Sequence, residues 1–199
     1  MLKSLAENIM ALLNDMPEVK ACALYGSLSD GQYDELSDID INVDVSGHDN
    51  GRFMLTLAER LSQHISVYYN DYAPSLVPEK YIVSIAIDEE HPTRVVDLCC
   101  VANPHCTTVD GSQIRALNDK FSHMLKLWTA NWKHHIRGTE CRGDILRMAE
   151  KIGIENRVEK SNVQILEETL AWLEVNAPQR LWNFVKSCRR EYTNRAASL

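Results

Sequence analysis

The stretch that decides the fold runs from Ala21 to Val45 and reads ACALYGSLSDGQYDELSDIDINVDV. It begins as a short apolar run, turns at Gly26-Ser27, and ends where acidic and aliphatic residues alternate. Successive side chains of a β-strand point to opposite faces, so the polar side chains of this segment are expected on one face and the aliphatic ones on the other. The polar face then carries Asp38, Asp40, Asn42 and Asp44. A row of carboxylates on a strand is costly without a cation.

The sequence around this stretch predicts alternating helices and strands. Apolar residues at helical spacing between Leu5 and Met16 predict a first amphipathic helix, which Pro17 closes. The run from Val19 to Tyr25 is short, apolar and bounded by Pro17 and a glycine, which favours a buried strand. Four-residue steps beginning at Phe53 predict a second helix.

Two further strands are predicted before residue 102. The runs 81–87 and 93–101 are both rich in β-formers and are joined by DEEHP, which is typical of a hairpin. The segment from Tyr68 to Lys80 holds three tyrosines and two prolines and is expected to be a loop with some extended structure. Four strands are therefore expected in this part of the chain.

Helical periodicity dominates the rest of the sequence. Apolar residues from Ile114 to Ile136 follow the three-and-four spacing of one long amphipathic helix, with Trp128 and Trp132 on its core stripe. Three more helical patterns follow. The predicted fold class is α/β (α+β), with a small mixed β-sheet domain over residues 1–105 and a C-terminal helical bundle over residues 106–199.

Composition restricts the possible functions. With 45% hydrophobic and 25% charged residues among 199, the chain resembles an ordinary globular protein. Its formal charge of -7 argues against a nucleic-acid groove, which needs clustered Lys and Arg. No signal-peptide core or membrane span is visible, so a cytoplasmic location without membrane attachment is expected.

The most specific motif is Gly26-Ser27, ten residues, and then Asp38-Ile39-Asp40, placed between two predicted strands. Together with the downstream run VVDLCCV, it resembles the nucleotidyltransferase superfamily that includes DNA polymerase beta. Within that superfamily it is most similar to the antibiotic-modifying branch of kanamycin and lincosamide nucleotidyltransferases. The resemblance covers the first half of the chain by its motifs and the helical half by architecture alone.

Physical chemistry supports the same interpretation. A Gly-Ser turn between a strand and a helix exposes backbone N–H groups that can hold phosphate oxygens. Asp38 and Asp40 lie roughly 6 to 7 Å apart at Cα on a strand, so their carboxylates can converge on one hard cation such as Mg²⁺. The third carboxylate expected from the resemblance is assigned to Asp97, because apolar residues flank it on both sides.

The resemblance implies a reaction and a set of roles. The expected reaction is in-line attack of a small-molecule hydroxyl on the α-phosphate of a nucleoside triphosphate, taken to be ATP, with loss of pyrophosphate. Asp38, Asp40 and Asp97 would form the Mg²⁺ and catalytic site. Gly26, Ser27 and Ser37 would bind the nucleotide. Glu140 is the first candidate for the general base, with Asp144 as its rival.

One local feature departs from the family pattern. Relatives often carry Arg or Lys a few residues after the Gly-Ser pair, whereas this chain has Leu28, Ser29, Asp30 and Gly31. Arg94 or Lys80 is a candidate replacement for that charge.

Two other functions stay open beside transfer to an aminoglycoside or lincosamide antibiotic. One is an antitoxin-like module that nucleotidylates a protein, and the other is a non-catalytic nucleotide-binding regulator. A homodimer formed through the helical halves is a further possibility that the resemblance leaves open.

Overall fold

A computed structural model describes residues 2–74 and 80–196. Within these ranges the chain forms one five-stranded sheet and eight α-helices, which confirms the predicted mixed fold class. The strands are β1 (Ala21–Tyr25), β2 (Ile39–Asp44), β3 (Tyr69–Pro74), β4 (Lys80–Ala86) and β5 (Val95–Val101). The helices are α1 (Leu2–Asn14), α2 (Gly26–Ser29), α3 (Asn50–Ser62), α4 (Gly111–Ile114), α5 (Lys120–Ile136), α6 (Arg142–Lys151), α7 (Asn162–Asn176) and α8 (Trp182–Ala196). None of the helices in the described ranges has both the length and the apolar character needed to cross a membrane.

The sheet has the strand order β1-β2-β5-β4-β3. Only β2 and β5 pair in parallel, and every other neighbouring pair is antiparallel. The predicted hairpin is present as β4 and β5. Because β2 and β5 run in the same direction, their first residues lie side by side at the same end of the two strands.

The alternation on β2 divides the sheet into two chemically different faces. Ile39, Ile41 and Val43 are at most 1% exposed, whereas the polar residues between them are half-buried. Helix α1 packs against β1 and β2, and α3 packs against β4 and β5. The buried residues of both helices form one apolar cluster with the aliphatic side chains of the sheet. The opposite face therefore keeps the polar side chains.

Strand β3 differs from the expected loop. Residues 69–74 pair with β4 along its whole length, while residues 75–79 lie outside the described residues. Tyr69 and Asp71 are two residues apart and so share one face of the strand, and both are about 2% exposed. Tyr69 therefore packs as a buried strand residue, and the sheet gains a fifth strand.

The predicted long helix from Ile114 to Ile136 is wrong, because the chain breaks near Asn118. A 3-10 turn at Arg115–Leu117 ends at Asn118, whose backbone is extended (ψ 133°). The Asn118 side chain binds the backbone of Tyr72 on β3 at 2.7 and 2.8 Å. Asp119 then caps α5 by accepting hydrogen bonds from the first N–H groups of that helix. Two polar side chains thus interrupt a continuous apolar period.

Asp49 joins helix α3 to the segment after β5. Its carboxylate caps α3 at the N–H of Arg52 (2.9 Å) and accepts hydrogen bonds from both Thr107 and Thr108. Burial by itself raises the pKa of this carboxyl. The hydrogen bonds outweigh burial and lower the pKa of Asp49 to about 2, from 3.8.

The chain divides into two compact units, Met1–Asp88 with Arg94–Asn118 and Glu89–Thr93 with Asp119–Leu199. The second unit is helical, and Trp128 and Trp132 are fully buried in it, as their position on the core stripe predicted. The indole N–H of Trp128 donates to the Leu166 carbonyl at 2.9 Å. On its surface, Arg189 makes ion pairs with Glu167 at 2.6 Å and Glu174 at 2.8 Å.

Candidate active site

The end of β1 places the Gly-Ser turn beside the start of β2. Tyr25, the last residue of β1, is the Cα partner of Asp40 in the antiparallel ladder. The chain then enters α2 directly at Gly26. The strand-turn-helix context that the sequence predicted for Gly26 and Ser27 is therefore present next to an aspartate of the motif.

Asp40 and Asp97 are brought together by the parallel pairing of β2 and β5. They are direct register partners, so their side chains leave the same face of neighbouring strands, which are about 4.8 Å apart. Tyr25 is a neighbour of both. Burial raises the pKa of the Tyr25 phenol, and the negative charges of Asp40 and then Asp97 raise it further.

Gly26 is in contact with the Asp40 carboxylate. Its φ is +67°, and a Cβ built on it would lie 2.6 Å from Oδ2 of Asp40. No L-residue with a side chain fits there without displacing the carboxylate. The glycine thus lets the backbone of the turn approach Asp40 closely.

Asp38 has a structural contact at the start of the sheet. Its Oδ1 accepts a hydrogen bond from the backbone N–H of Val95 at 3.0 Å. Val95 is the first residue of β5 and Asp38 directly precedes β2, so this bond links the beginnings of the two parallel strands. Asp38 is therefore next to the Asp40–Asp97 pair along the chain while one of its oxygens binds the neighbouring strand.

The carboxylate pair has a donor set that suits Mg²⁺. Among residues 2–74 and 80–196, no group of three or more His, Cys, Asp or Glu side chains is arranged to hold a metal ion. Mg²⁺, however, is commonly bound by one or two carboxylates together with water and substrate phosphates. Asp40 and Asp97, with the close backbone of Gly26, fit that mode of binding.

The basic residues proposed as phosphate partners have different surroundings. Arg94 is held by the Asp88 carboxylate and the Glu35 carbonyl, each at 3.3 Å. Lys80 is exposed and lies on the polar face, but it pairs with Val101 at the far end of β5 from Asp97. Leu28, the first residue after the Gly-Ser pair, is 2% exposed and belongs to the core.

The other predicted nucleotide-binding residue, Ser37, is 4% exposed. Its hydroxyl donates to Asp34 Oδ1 and accepts from the Asp34 N–H, both at 2.9 Å. These bonds close the turn that leads into β2. The nucleotide role of Ser37 stays a prediction.

Glu140 and Asp144, the candidates for the general base, belong to the second unit. A Glu140 oxygen accepts from the N–H of Arg142 at 2.8 Å, at the beginning of α6. Asp144 forms an ion pair with Arg147 one turn further along that helix. The role of either carboxylate as base stays a prediction.

Sequence reasoning missed two residues on the polar face. Ser84 donates a hydrogen bond to Oδ1 of Asp97, and Asp71 is the next residue along, as the register partner of Ser84. Both are at most 2% exposed. The sequence does carry a signal for each, because each is a polar residue within a β-rich run, but only the register joins them to Asp97.

Comparison with known proteins supports one superfamily. The family model described as "Polymerase beta, Nucleotidyltransferase" matches residues 7–75. This supports the polymerase beta-like superfamily. The matched range contains the Gly-Ser turn, Asp38 and Asp40, and ends before Asp97.

Among solved structures, the "structure of GLD-2/RNP-8 complex" is similar at 16% identity, with 98% of this chain and 62% of that chain covered and a TM-score of 0.34. This chain thus spans less than two thirds of that one. No curated protein matches.

Proposed function

We propose that the protein is an Mg²⁺-dependent nucleotidyltransferase that transfers a nucleoside monophosphate, AMP from ATP, to a hydroxyl of a small molecule. The observation that carries the proposal is the register pairing of Asp40 with Asp97 beside the Gly26 turn. The family match over residues 7–75 supports the nucleotidyltransferase part. The acceptor class, an aminoglycoside or lincosamide antibiotic, rests on the sequence resemblance alone.

In this proposal Asp38, Asp40 and Asp97 hold the metal ion, with Asp40 and Asp97 as the central pair. Bound Mg²⁺ would neutralise charge on the triphosphate during transfer. Gly26 and Ser27 orient the phosphates through the turn, and Glu140 takes the proton of the acceptor hydroxyl. The helical half, assigned to residues 106–199, binds the acceptor.

The charge of the site favours a cationic acceptor over a nucleic acid. Three aspartates lie at the starts of two adjacent strands, and the whole chain carries a formal charge of -7. An amine-bearing small molecule is attracted by this field, whereas a phosphate backbone is repelled. The same charge makes the metal necessary for a triphosphate to approach.

The test is nucleotide transfer by the purified protein. Each of the four ribonucleoside triphosphates, labelled at the α-phosphate, is incubated with Mg²⁺ and a panel of aminoglycosides and lincosamides. Label is expected on a drug with ATP, and Asp40→Asn and Asp97→Asn should each abolish it. Transfer that survives both substitutions would disprove the assigned site.

The same experiment separates the alternatives. Label found on protein instead of drug supports the protein-nucleotidylating function. Binding of Mg-ATP without transfer to any acceptor supports a nucleotide-binding regulator. The Glu140→Gln and Asp144→Asn variants then decide between the two candidate bases, because loss of the base lowers kcat with little change in ATP affinity.

A further inference from the structure

A continuous row of polar side chains crosses the sheet on its polar face. Each member is the register partner of the next, one from every strand in sheet order. The row consists of Tyr25, Asp40, Asp97, Ser84 and Asp71. The two candidate metal ligands are therefore continued on one side by a hydroxyl and a further carboxylate.

Ser84 is the member that binds a candidate ligand directly. Its hydroxyl donates a hydrogen bond to Oδ1 of Asp97, and the residue is only 1% exposed. On its own strand it interrupts an apolar run between Ile82 and Ala86. A hydroxyl in such a place is costly unless it is hydrogen-bonded, so the bond to Asp97 is maintained by burial.

We propose that Ser84 is a positioning residue for Asp97. A carboxylate with no fixed hydrogen bond rotates about its terminal torsion, which has only broad minima. The Ser84 bond holds Oδ1 and so fixes the plane of the Asp97 carboxylate next to Asp40. This inference rests on the proposed metal-binding function of Asp40 and Asp97, and it adds the residue that orients one of the two ligands.

Ser84 has a second carboxylate residue, buried Asp71, on its other side in the row. A serine hydroxyl has a single proton, and Ser84 lies between two carboxylate residues, Asp97 and Asp71, in the row. The proton is directed to Asp97. Outer hydrogen-bond partners of this kind typically change metal affinity by about 10- to 100-fold when they are removed.

The experiment measures Mn²⁺ binding to the whole protein by electron paramagnetic resonance, which counts free Mn²⁺. The variants are Ser84→Ala, which removes the hydroxyl, and Ser84→Thr, which keeps it. Ser122→Ala is the matched control, because Ser122 is a buried serine (3% exposed) that also donates to an aspartate, Asp119, in the second unit. Urea denaturation of each variant reports folding separately.

We expect Ser84→Ala to weaken Mn²⁺ binding by about 10-fold or more, with Ser84→Thr and Ser122→Ala close to wild type. The Mg²⁺ concentration for half-maximal nucleotide transfer should rise by the same factor. A Ser84→Ala protein that is folded and binds Mn²⁺ within about twofold of wild type would overturn the inference.

The two proposals fail in different ways. If wild type binds Mn²⁺ through Asp97 but transfers nucleotide to no acceptor, the proposed reaction fails, and weaker binding by Ser84→Ala still supports the positioning role. If wild type binds no Mn²⁺, with or without ATP, both fail. If Ser84→Thr does not fold, the comparison of Ser84→Ala with Ser122→Ala gives the decision alone.

Discussion

Replacing Gly26 by alanine perturbs the contact between the turn and the Asp40 carboxylate. The new Cβ would lie 2.6 Å from Oδ2 and 3.4 Å from Cγ of Asp40. Ordinary carbon–oxygen contacts begin at about 3.3 Å, so Oδ2 has to move by roughly 0.7 Å. Oδ2 is at the end of a side chain, so it can move by torsion of that side chain without a shift of the backbone. The loss should therefore appear in binding and activity.

Gly31 supplies a matched control for the backbone. Its φ is +71°, close to the +67° of Gly26, but a Cβ there meets no heavy atom within 4 Å. Alanine at either position costs about 1 to 2 kcal/mol, because both force an L-residue into the left-handed region. Only Gly26→Ala also displaces a candidate ligand.

The expected magnitude follows from the displacement. Productive site geometry is held to within about 0.5 Å, and a misplacement of about 1 Å can cost 100-fold in rate. A shift of roughly 0.7 Å therefore predicts a 10- to 100-fold loss of kcat/KM and weaker Mn²⁺ binding for Gly26→Ala. Gly31→Ala should keep both within about threefold of wild type.

Three measurements on the two variants decide the question. They are the urea midpoint, the Mn²⁺ affinity and kcat/KM for nucleotide transfer. Similar urea midpoints with divergent Mn²⁺ affinities are the predicted pattern. Equal Mn²⁺ affinity and equal activity for Gly26→Ala and Gly31→Ala would refute the reasoning, since the contact with Asp40 would then have no functional consequence.

The remaining predictions concern stability and reactivity. Asp49→Ala should destabilise the fold by about 2 kcal/mol at pH 7 in urea denaturation. The folded pKa of Asp49 is lowered from 3.8 to about 2, so this stabilisation is complete above about pH 5 and is lost as the pH falls through 2, where the difference between the variant and wild type should shrink. In native protein at pH 7.5, iodoacetamide should modify exposed Cys106 first, as read by mass spectrometry. Burial raises the pKa of Cys22 to about 11, so its labelling should accelerate only as the pH rises towards that value. Arg189→Leu should cost about 1 kcal/mol, and because both ion pairs are partly exposed, the difference should shrink in 1 M NaCl; an unchanged difference would contradict an electrostatic origin.

The sequence predicted those parts of the site that depend on local chemistry. Alternation along β2 was enough to assign Ile39 and Ile41 to the core and Asp40 to the opposite face, because the side-chain period of a strand is fixed. Asp97 was chosen as the third carboxylate that the resemblance implies because apolar residues flank it, and it is the register partner of Asp40. The glycine before Ser27 was predicted to form a turn. Its contact with Asp40 is a second physical reason why this position carries no side chain.

The parts that sequence could not supply depend on register and on competing side chains. Nothing in the local pattern states that Ser84 is opposite Asp97, since a shift of one residue would have turned Ser84 to the other face. Strand β3 was missed because the two prolines within residues 68–80 are typical of loops, whereas residues 69–74 pair with β4. The apolar period across Asn118 and Asp119 looked continuous, but two polar side chains end one helix and begin the next.

The row of acids on β2 first looked like a single electrostatic cost, but the acids have different neighbours. Asp38 Oδ1 accepts from the Val95 N–H, and Asp44 Oδ1 accepts from the Ser46 N–H at 2.8 Å. The first contact ties the start of β2 to β5, and the second closes the turn that follows β2. Hydrogen bonds from Ser46 also lower the pKa of Asp44. Asp40, between them, lies beside a second carboxylate and a backbone position that cannot carry a Cβ. A carboxylate pair at a glycine turn is explained by a ligand that brings positive charge, whereas a carboxylate that closes a turn needs none. This difference supports Asp40, near the start of β2, as a central member of the proposed site.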